Sequence, residues 1–202
     1  MIVSFSGIDG SGKTTQARFV SKLLQFHGLE VHRLHMIQWT LVNRLSPLLR
    51  PGGIPHARHS RACSKGKVFI LVRQFVSFLD ILRFRVFGAY HSGIRRRVIV
   101  CDRFFHDLGV QALYTGMMSK RFESLYWRAV PSATIMILLD VPPEIAQQRE
   151  GEHELTYYQT KRELYLERAK SWGAIVVSGL EREETEQRVA QIIRDYLERN
   201  IG

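Results

Sequence analysis

Gly7-Ile8-Asp9-Gly10-Ser11-Gly12-Lys13-Thr14, followed by Thr15, decides the fold. The stretch matches G-x-x-x-x-G-K-[ST] at every fixed position. Glycine lets backbone N–H groups approach phosphate oxygens where a side chain would intrude. A helix that begins behind the loop points its positive end at the same anion. Lys13 is expected to reach the terminal bridging oxygens, and Thr14 to offer a hydroxyl to Mg²⁺. Residues 2–6, Ile-Val-Ser-Phe-Ser, read as a strand leading into this turn. Beyond it Ala17, Phe19, Val20, Leu23 and Leu24 recur at helical spacing until Gly28 stops the helix. Residues 7–15 are therefore the expected cradle for the phosphates of ATP.

Farther along, strands and helices alternate. A second strand is expected at about 30–37, and a helix at about 68–91, ended by Ser92-Gly93. Arg97–Cys101 (Arg-Val-Ile-Val-Cys) is a continuous apolar run, the mark of a central parallel strand, and it delivers Asp102-Arg103 at its C-terminal end. Helical segments are expected within 107–130. Ala133–Asp140 reads as a buried strand, followed by Val141-Pro142-Pro143 and a helix start. Residues 149–172 read as charged and helical, 174–177 as a last strand, and 181–199 as a closing amphipathic helix. Five strands joined by helices predict an α/β fold of the P-loop NTPase type. Its five-stranded parallel sheet should carry helices on both faces and a short helical lid, with ligands at the strand C-termini. A length of 202 residues suits one domain, 1–202, with the lid at about 149–162.

Asp102 and Arg103 form the second chemical element. A carboxylate at the end of a buried strand can serve Mg²⁺ or orient an attacking oxygen. The adjacent guanidinium can grip a second phosphate in a bidentate fork. Two phosphate grips imply two phosphate-bearing substrates, a donor and an acceptor, whereas a nucleotide switch needs only the loop.

Composition narrows the partners. Lys and Arg number 29 against 19 Asp and Glu, a net charge of +10, which favours anionic ligands. The basic groups are Arg95-Arg96-Arg97 and the set Arg44, Arg50, Arg58, Arg61, Lys65 and Lys67. Neither is interleaved with the aromatic pattern of a single-strand binder, so nucleic acid is not the expected partner. Residues 38–67, broken by Pro47, Pro51, Gly52, Gly53 and Pro55, are expected to be irregular and to lie on the acceptor side. Cys63 and Cys101 lack metal-ligand spacing, and no charged leader precedes the loop. A reduced, cytoplasmic setting is the expectation. The apolar stretch Val68–Tyr90 is interrupted by Arg73, Asp80, Arg83 and Arg85. Charges at mid-span each cost about 2.5–3.5 kcal/mol, so a buried or interface helix is expected and not a membrane span.

The chain resembles the thymidylate kinases, a family of P-loop nucleoside monophosphate kinases. The resemblance is carried by Phe5–Gln16, Cys101-Asp102-Arg103-Phe104, Leu138–Glu144 and Tyr165-Leu-Glu-Arg-Ala169. It runs from residue 3 to about 180 and is poor at 36–80. It implies transfer of the ATP γ-phosphate to dTMP with Mg²⁺, and a homodimer with the 68–91 helix at its interface. It implies that Asp9 bonds the acceptor's sugar hydroxyl, that Arg103 holds the acceptor phosphate, and that Asp102 serves the metal or the attacking phosphate. Arg149 falls near the adenine or phosphates of ATP. Arg83 falls close to a base-reading position, with Phe78 as a stacking partner.

The sequence departs from the family in two places. His35-Met-Ile-Gln-Trp-Thr40 stands where an Arg-Glu-Pro-Gly-Gly segment is usual, and an Arg50-Pro-Gly-Gly53 comes later without the Glu. Gly10 stands where some members carry a loop arginine, so the lid should supply the mobile cation. Its candidates are Arg149, His153, Lys161 and Arg162, with Arg149 or Arg162 expected in the role. Two other functions are compatible with these departures: a kinase for another nucleotide or nucleoside, and an ATP-binding regulatory protein.

Overall fold

The computed structural model describes residues 1–45 and 67–201. Arg50, Arg58, Arg61, Cys63 and Lys65, and the stretch Arg50-Pro-Gly-Gly53, lie outside the described residues. So does most of the basic segment expected at 38–67.

Five strands form one all-parallel sheet: β1 (Ile2–Ser6), β2 (Val31–His35), β3 (Val98–Asp102), β4 (Ile135–Asp140) and β5 (Ile175–Ser178). Their order is β2-β3-β1-β4-β5. Helices α1 (Lys13–Phe26), α4 (Lys67–Gly88), α5 (Phe105–Tyr114), α6 (Lys120–Ala129), α7 (Pro143–Glu150), α8 (Leu155–Ala169) and α9 (Arg182–Ile201) surround it. This is the α/β architecture expected from the sequence. Strand β1 lies between β3 and β4, and Phe5 pairs in register with Asp102. The turn after β1 and the Asp102-Arg103 step after β3 therefore emerge side by side at the C-terminal edge, where parallel sheets bind ligands.

The three central strands, β3, β1 and β4, are buried on both faces, and their period of two sorts the side chains between two cores. Val98 and Val100 of β3, with Ile135, Ile137 and Leu139 of β4, face a core containing Ala17, Val20 and Leu24 of α1 and Val189 and Ile193 of α9. Ile99 and Cys101 face the opposite way, against Ile81 and Phe84 of α4 and Phe104, Phe105 and Tyr126. A third cluster joins Ile8 of the loop to Leu138, Ala146 of α7, and Tyr157, Tyr158 and Tyr165 of α8. Beneath α5, His106 lies against Trp172 at 4.6 Å between ring centroids, and Trp172 lies 5.2 Å from Trp127. Burial pushes the His106 imidazole down to about 4, although Asp107 opposes the shift.

The sequence reading differs from the structure in detail at two places. The chain after β2 is helical where no element was expected: α2 (Met36–Trp39) and α3 (Leu41–Leu45). Buried Asp80 of α4 produces this by accepting the Leu41 and Val42 N–H groups at 2.9 and 3.0 Å, which caps α3. The helix expected at 68–91 begins at Lys67 and changes at Gly88 into a π-helical turn, Ala89–Ile94. Among the described residues no helix is long and apolar enough to cross a membrane.

Candidate active site

The phosphate loop is shaped by backbone that only glycine tolerates. At Gly7 φ is +143°, and a Cβ would meet the Leu139 carbonyl oxygen at 2.5 Å. At Gly10 φ is +80°, and a Cβ would meet the Ala146 oxygen at 2.6 Å. Gly12 precedes α1 in the left-handed region and makes no side-chain cap, so the first N–H groups of α1 stay open toward the cavity. Lys13 is buried, and its Nζ donates to the Ile8 carbonyl at 2.6 Å. Burial, with Arg103 and Lys161 adding positive charge, lowers its pKa to about 8; Asp9 and Asp107 oppose the fall.

Behind the loop opens a cavity of about 490 Å³. It is lined by residues 10–16, by Arg103 after β3, and by Arg149, Glu150, Gly179, Leu180, Arg182 and Thr185. Thr14 and Thr15 are exposed to it. Arg149 donates to the carbonyls of Gly179 (2.8 Å) and Leu180 (2.5 Å) and lies 3.5 Å from the Gly10 carbonyl, which sets its guanidinium between the loop and residues 179–180. The space suits a nucleoside triphosphate with its phosphates on the loop and its base toward residues 179–182.

On the other side of the loop Asp9 is a hub. Its Oδ1 accepts from the Arg103 guanidinium at 2.6 Å. Its Oδ2 accepts from the Tyr157 hydroxyl at 2.5 Å and lies 3.3 Å from Lys161 Nζ. Burial alone would raise the carboxyl pKa, but Lys161, Arg103 and Lys13 overcome it and hold Asp9 ionised far below the usual range. Burial likewise works against the charge on Arg103, and Asp9 and Asp107 outweigh it. Arg103 holds φ at +69°, a costly backbone state for a non-glycine residue, of a kind concentrated at functional sites. Asp107, at the start of α5, stabilises this corner. It accepts from the Ser6 hydroxyl (2.7 Å), the Phe104 N–H (2.8 Å) and the Tyr165 hydroxyl (2.8 Å).

Asp102 is buried at the end of β3, with Oδ1 lacking a hydrogen-bond partner and Oδ2 3.9 Å from His35 Nε2. A buried carboxylate oxygen left open at a strand end is a position for a cation or an ordered donor.

Lys13, Asp9 and Arg103 thus meet at one edge, with Arg149 beside Gly10 on the same cavity and Asp102 in register beside Phe5. Arg83 and Phe78 lie apart from that group. Arg83 pairs with Asp80 at 2.8 Å and stacks over Trp39 at 4.5 Å, while Phe78 packs edge-on against Phe122. Arg73, about three turns closer to the start of α4 than Arg83, has no carboxylate partner among the described residues, and burial lowers its pKa. Of the lid candidates, Arg162 is held by both oxygens of Asp140 at 2.6 and 2.8 Å. The His153 ring lies 3.9 Å from that of Tyr157. Asp107 and Tyr157 escaped the sequence reading: a carboxylate inside an amphipathic helix and a tyrosine on a charged one carry no local signal. The spacing of Tyr157 and Lys161 by four residues could have suggested one helix face.

A glycine loop on the central strand of a parallel sheet, with a second cation grip on the next strand, defines a P-loop nucleotide-binding α/β protein. No family model matches the chain. It is similar along nearly its whole length to thymidylate kinases. A probable thymidylate kinase of Archaeoglobus fulgidus is 24% identical over 98% of this chain and 96% of its own. One of Xylella fastidiosa, a thymidylate kinase, is 29% identical over 81% of this chain and 73% of its own. A probable thymidylate kinase of Sulfurisphaera tokodaii is 25% identical over 95% and 94%. The resemblance read from short motifs therefore extends well beyond the phosphate loop.

Proposed function

We propose that this chain is a nucleoside monophosphate kinase that transfers the γ-phosphate of ATP to dTMP, giving ADP and dTDP. The observation that carries this reading is the pair of anion grips joined through Asp9: the loop with Lys13, and Arg103. The names of the relatives agree with it. ATP occupies the 490 Å³ cavity, with its phosphates on the loop amides and its base beside Arg149. Arg103 holds the acceptor phosphate, and Asp9 accepts from the acceptor's sugar hydroxyl. An oxygen of that phosphate attacks the γ-phosphorus, the bond to the β–γ bridging oxygen breaks, and ADP leaves. Lys13 stabilises the charge on the leaving oxygens, so the protein's work is positioning and neutralisation.

The Thr14 hydroxyl and the open Asp102 oxygen form an all-oxygen donor set, which fits Mg²⁺. Bound there, Mg²⁺ supplies charge neutralisation on the triphosphate. For base recognition by α4, Arg73 is better suited than Arg83, whose guanidinium Asp80 and Trp39 already engage.

The chain acts as one cytoplasmic domain, with residues 149–162 as a lid that excludes water from the transfer. It acts as a homodimer through α4, where Val68, Leu71, Phe75, Leu79, Leu82 and Val86 are exposed at steps of three or four residues, along one face. Sedimentation at the mass of a single chain would exclude the dimer.

A coupled ADP-release assay over dTMP, dUMP, dCMP, dAMP and dGMP tests the activity. Turnover with a preference for dTMP is expected. Preference for another acceptor overturns the substrate, and ATP binding without product from any monophosphate overturns the kinase reading in favour of a regulatory protein.

A further inference from the structure

The phosphate loop carries Gly10 where a cation could reach the transferring group, so the charge must come from elsewhere. Of the four lid cations considered, three are engaged away from the acceptor grip. Arg162 is gripped by Asp140. Arg149 spans from the Gly10 carbonyl, 3.5 Å away, to the Gly179 and Leu180 carbonyls, on the donor side of the loop. His153 packs on the Tyr157 ring. Lys161 alone enters the hub. Its side chain is 3% exposed, its Nζ donates to the Tyr157 hydroxyl at 2.9 Å, and it lies 3.3 Å from Asp9 Oδ2. The same carboxylate holds Arg103 at 2.6 Å on its other oxygen, so Lys161 stands one residue away from the acceptor grip.

The charge balance of the hub points to an anion. Lys13, Lys161 and Arg103 are gathered around Asp9 and Asp107, which leaves one positive charge in excess in a desolvated corner. Such an excess is costly unless a ligand compensates it. The Lys161–Asp9 contact is also the longer of the two ion pairs on that carboxylate, and so the easier to exchange.

We infer that Lys161 is the cation that lid helix α8 brings to the phosphoryl group during transfer, in place of an arginine from the loop or the lid. This rests on the kinase reading above. As the acceptor's sugar hydroxyl engages Asp9 Oδ2, the 3.3 Å contact gives way, and Nζ turns to donate to a non-bridging oxygen of the γ-phosphate. No proton is transferred. The ammonium offsets negative charge on the equatorial oxygens, and Tyr157 keeps its stem aligned.

The test compares the full-length wild-type protein with Lys161→Met and Lys161→Arg in steady-state assays with ATP and dTMP. Lys161→Met is expected to lower kcat by about 10³-fold, the low end of the range for a mobile cation, with both KM values within about threefold. Lys161→Arg is expected to recover most of the loss. A purely structural role would not move a second readout: a bisubstrate analogue, adenosine and thymidine joined by five phosphates, should bind Lys161→Met more weakly while ATP alone binds as to wild type. Thermal melting of both variants separates misfolding from lost chemistry. The inference is overturned if kcat of Lys161→Met stays within threefold of wild type. It is equally overturned if the loss falls on the dTMP KM and the arginine variant restores nothing, since Lys161 then merely holds Asp9. A wild-type protein that makes no dTDP defeats the underlying kinase reading instead, and does so before any variant is compared.

Discussion

The two ends of the cleft are built on different plans. The donor end is an open cavity lined by the loop, the N-terminus of α1, the carbonyls of residues 179 and 180 and the side chains of Lys13, Arg103, Arg149 and Arg182. Lys13 and Arg149 are held there by backbone carbonyls. The acceptor end is crowded with side chains that already satisfy one another: Asp9 with Arg103, Tyr157 and Lys161, and Asp107 with Ser6 and Tyr165. Binding at the first end fills space. Binding at the second exchanges one set of hydrogen bonds for another, which makes it the end where geometry can discriminate among acceptors.

The sharpest way to break this comparison is to disable the donor end alone. Lys13→Ala should lower kcat/KM for ATP by about 10³-fold or more, because the lost charge acts on the transferring phosphates. A loss under tenfold in the ADP-release assay would show that the loop backbone suffices. The next effect comes from pH. Lys13 has a pKa near 8 in the folded protein, below its unfolded value of about 10.4. Since kcat/KM reports the free enzyme, it should fall about tenfold per pH unit above 8 as the amine loses its proton. Stability moves the opposite way. Between pH 8 and 10.4 the unfolded chain binds more protons at this residue, so its contribution to folding free energy rises with pH. A flat kcat/KM profile from pH 7 to 9.5 would contradict the depressed value. The smallest expected effect belongs to the acceptor-end scaffold. Asp107→Asn weakens three buried hydrogen bonds and should cost about 2 kcal/mol, a drop in Tm of about 4–8 °C in a protein of this size. An unchanged melting curve would mean that the Asp107 network adds nothing to the fold.

The same asymmetry governs what the sequence discloses. The donor cradle is contiguous, and each of its residues has a local physical reason, so Gly7–Thr14 and the strand and helix beside it are legible in one line of sequence. The central strands are equally plain, because parallel strands buried on both faces are unbroken apolar runs. The acceptor hub draws on residues 6, 9, 103, 107, 157, 161 and 165, which only the fold brings together. Nothing near Asp107 marks it as a hub carboxylate: its position beside Ser6 follows from the pairing of β1 with β3. Periodicity also misled at α4. Arg83 sits on the expected helix, but Asp80, three residues before it, both caps α3 and takes the guanidinium, a tertiary use that helix spacing does not reveal.

The aromatic stack under α5 gives the protein an optical property. Trp127 sits on α6 and Trp172 just beyond α8, with ring centroids 5.2 Å apart, and Tyr165 of α8 reaches the Trp172 ring edge-on. Helix α8 also carries Tyr157 and Lys161 into the cleft. A ligand that displaces α8 alters the separation of two indoles, so ultraviolet emission of the unlabelled chain carries a record of where α8 stands.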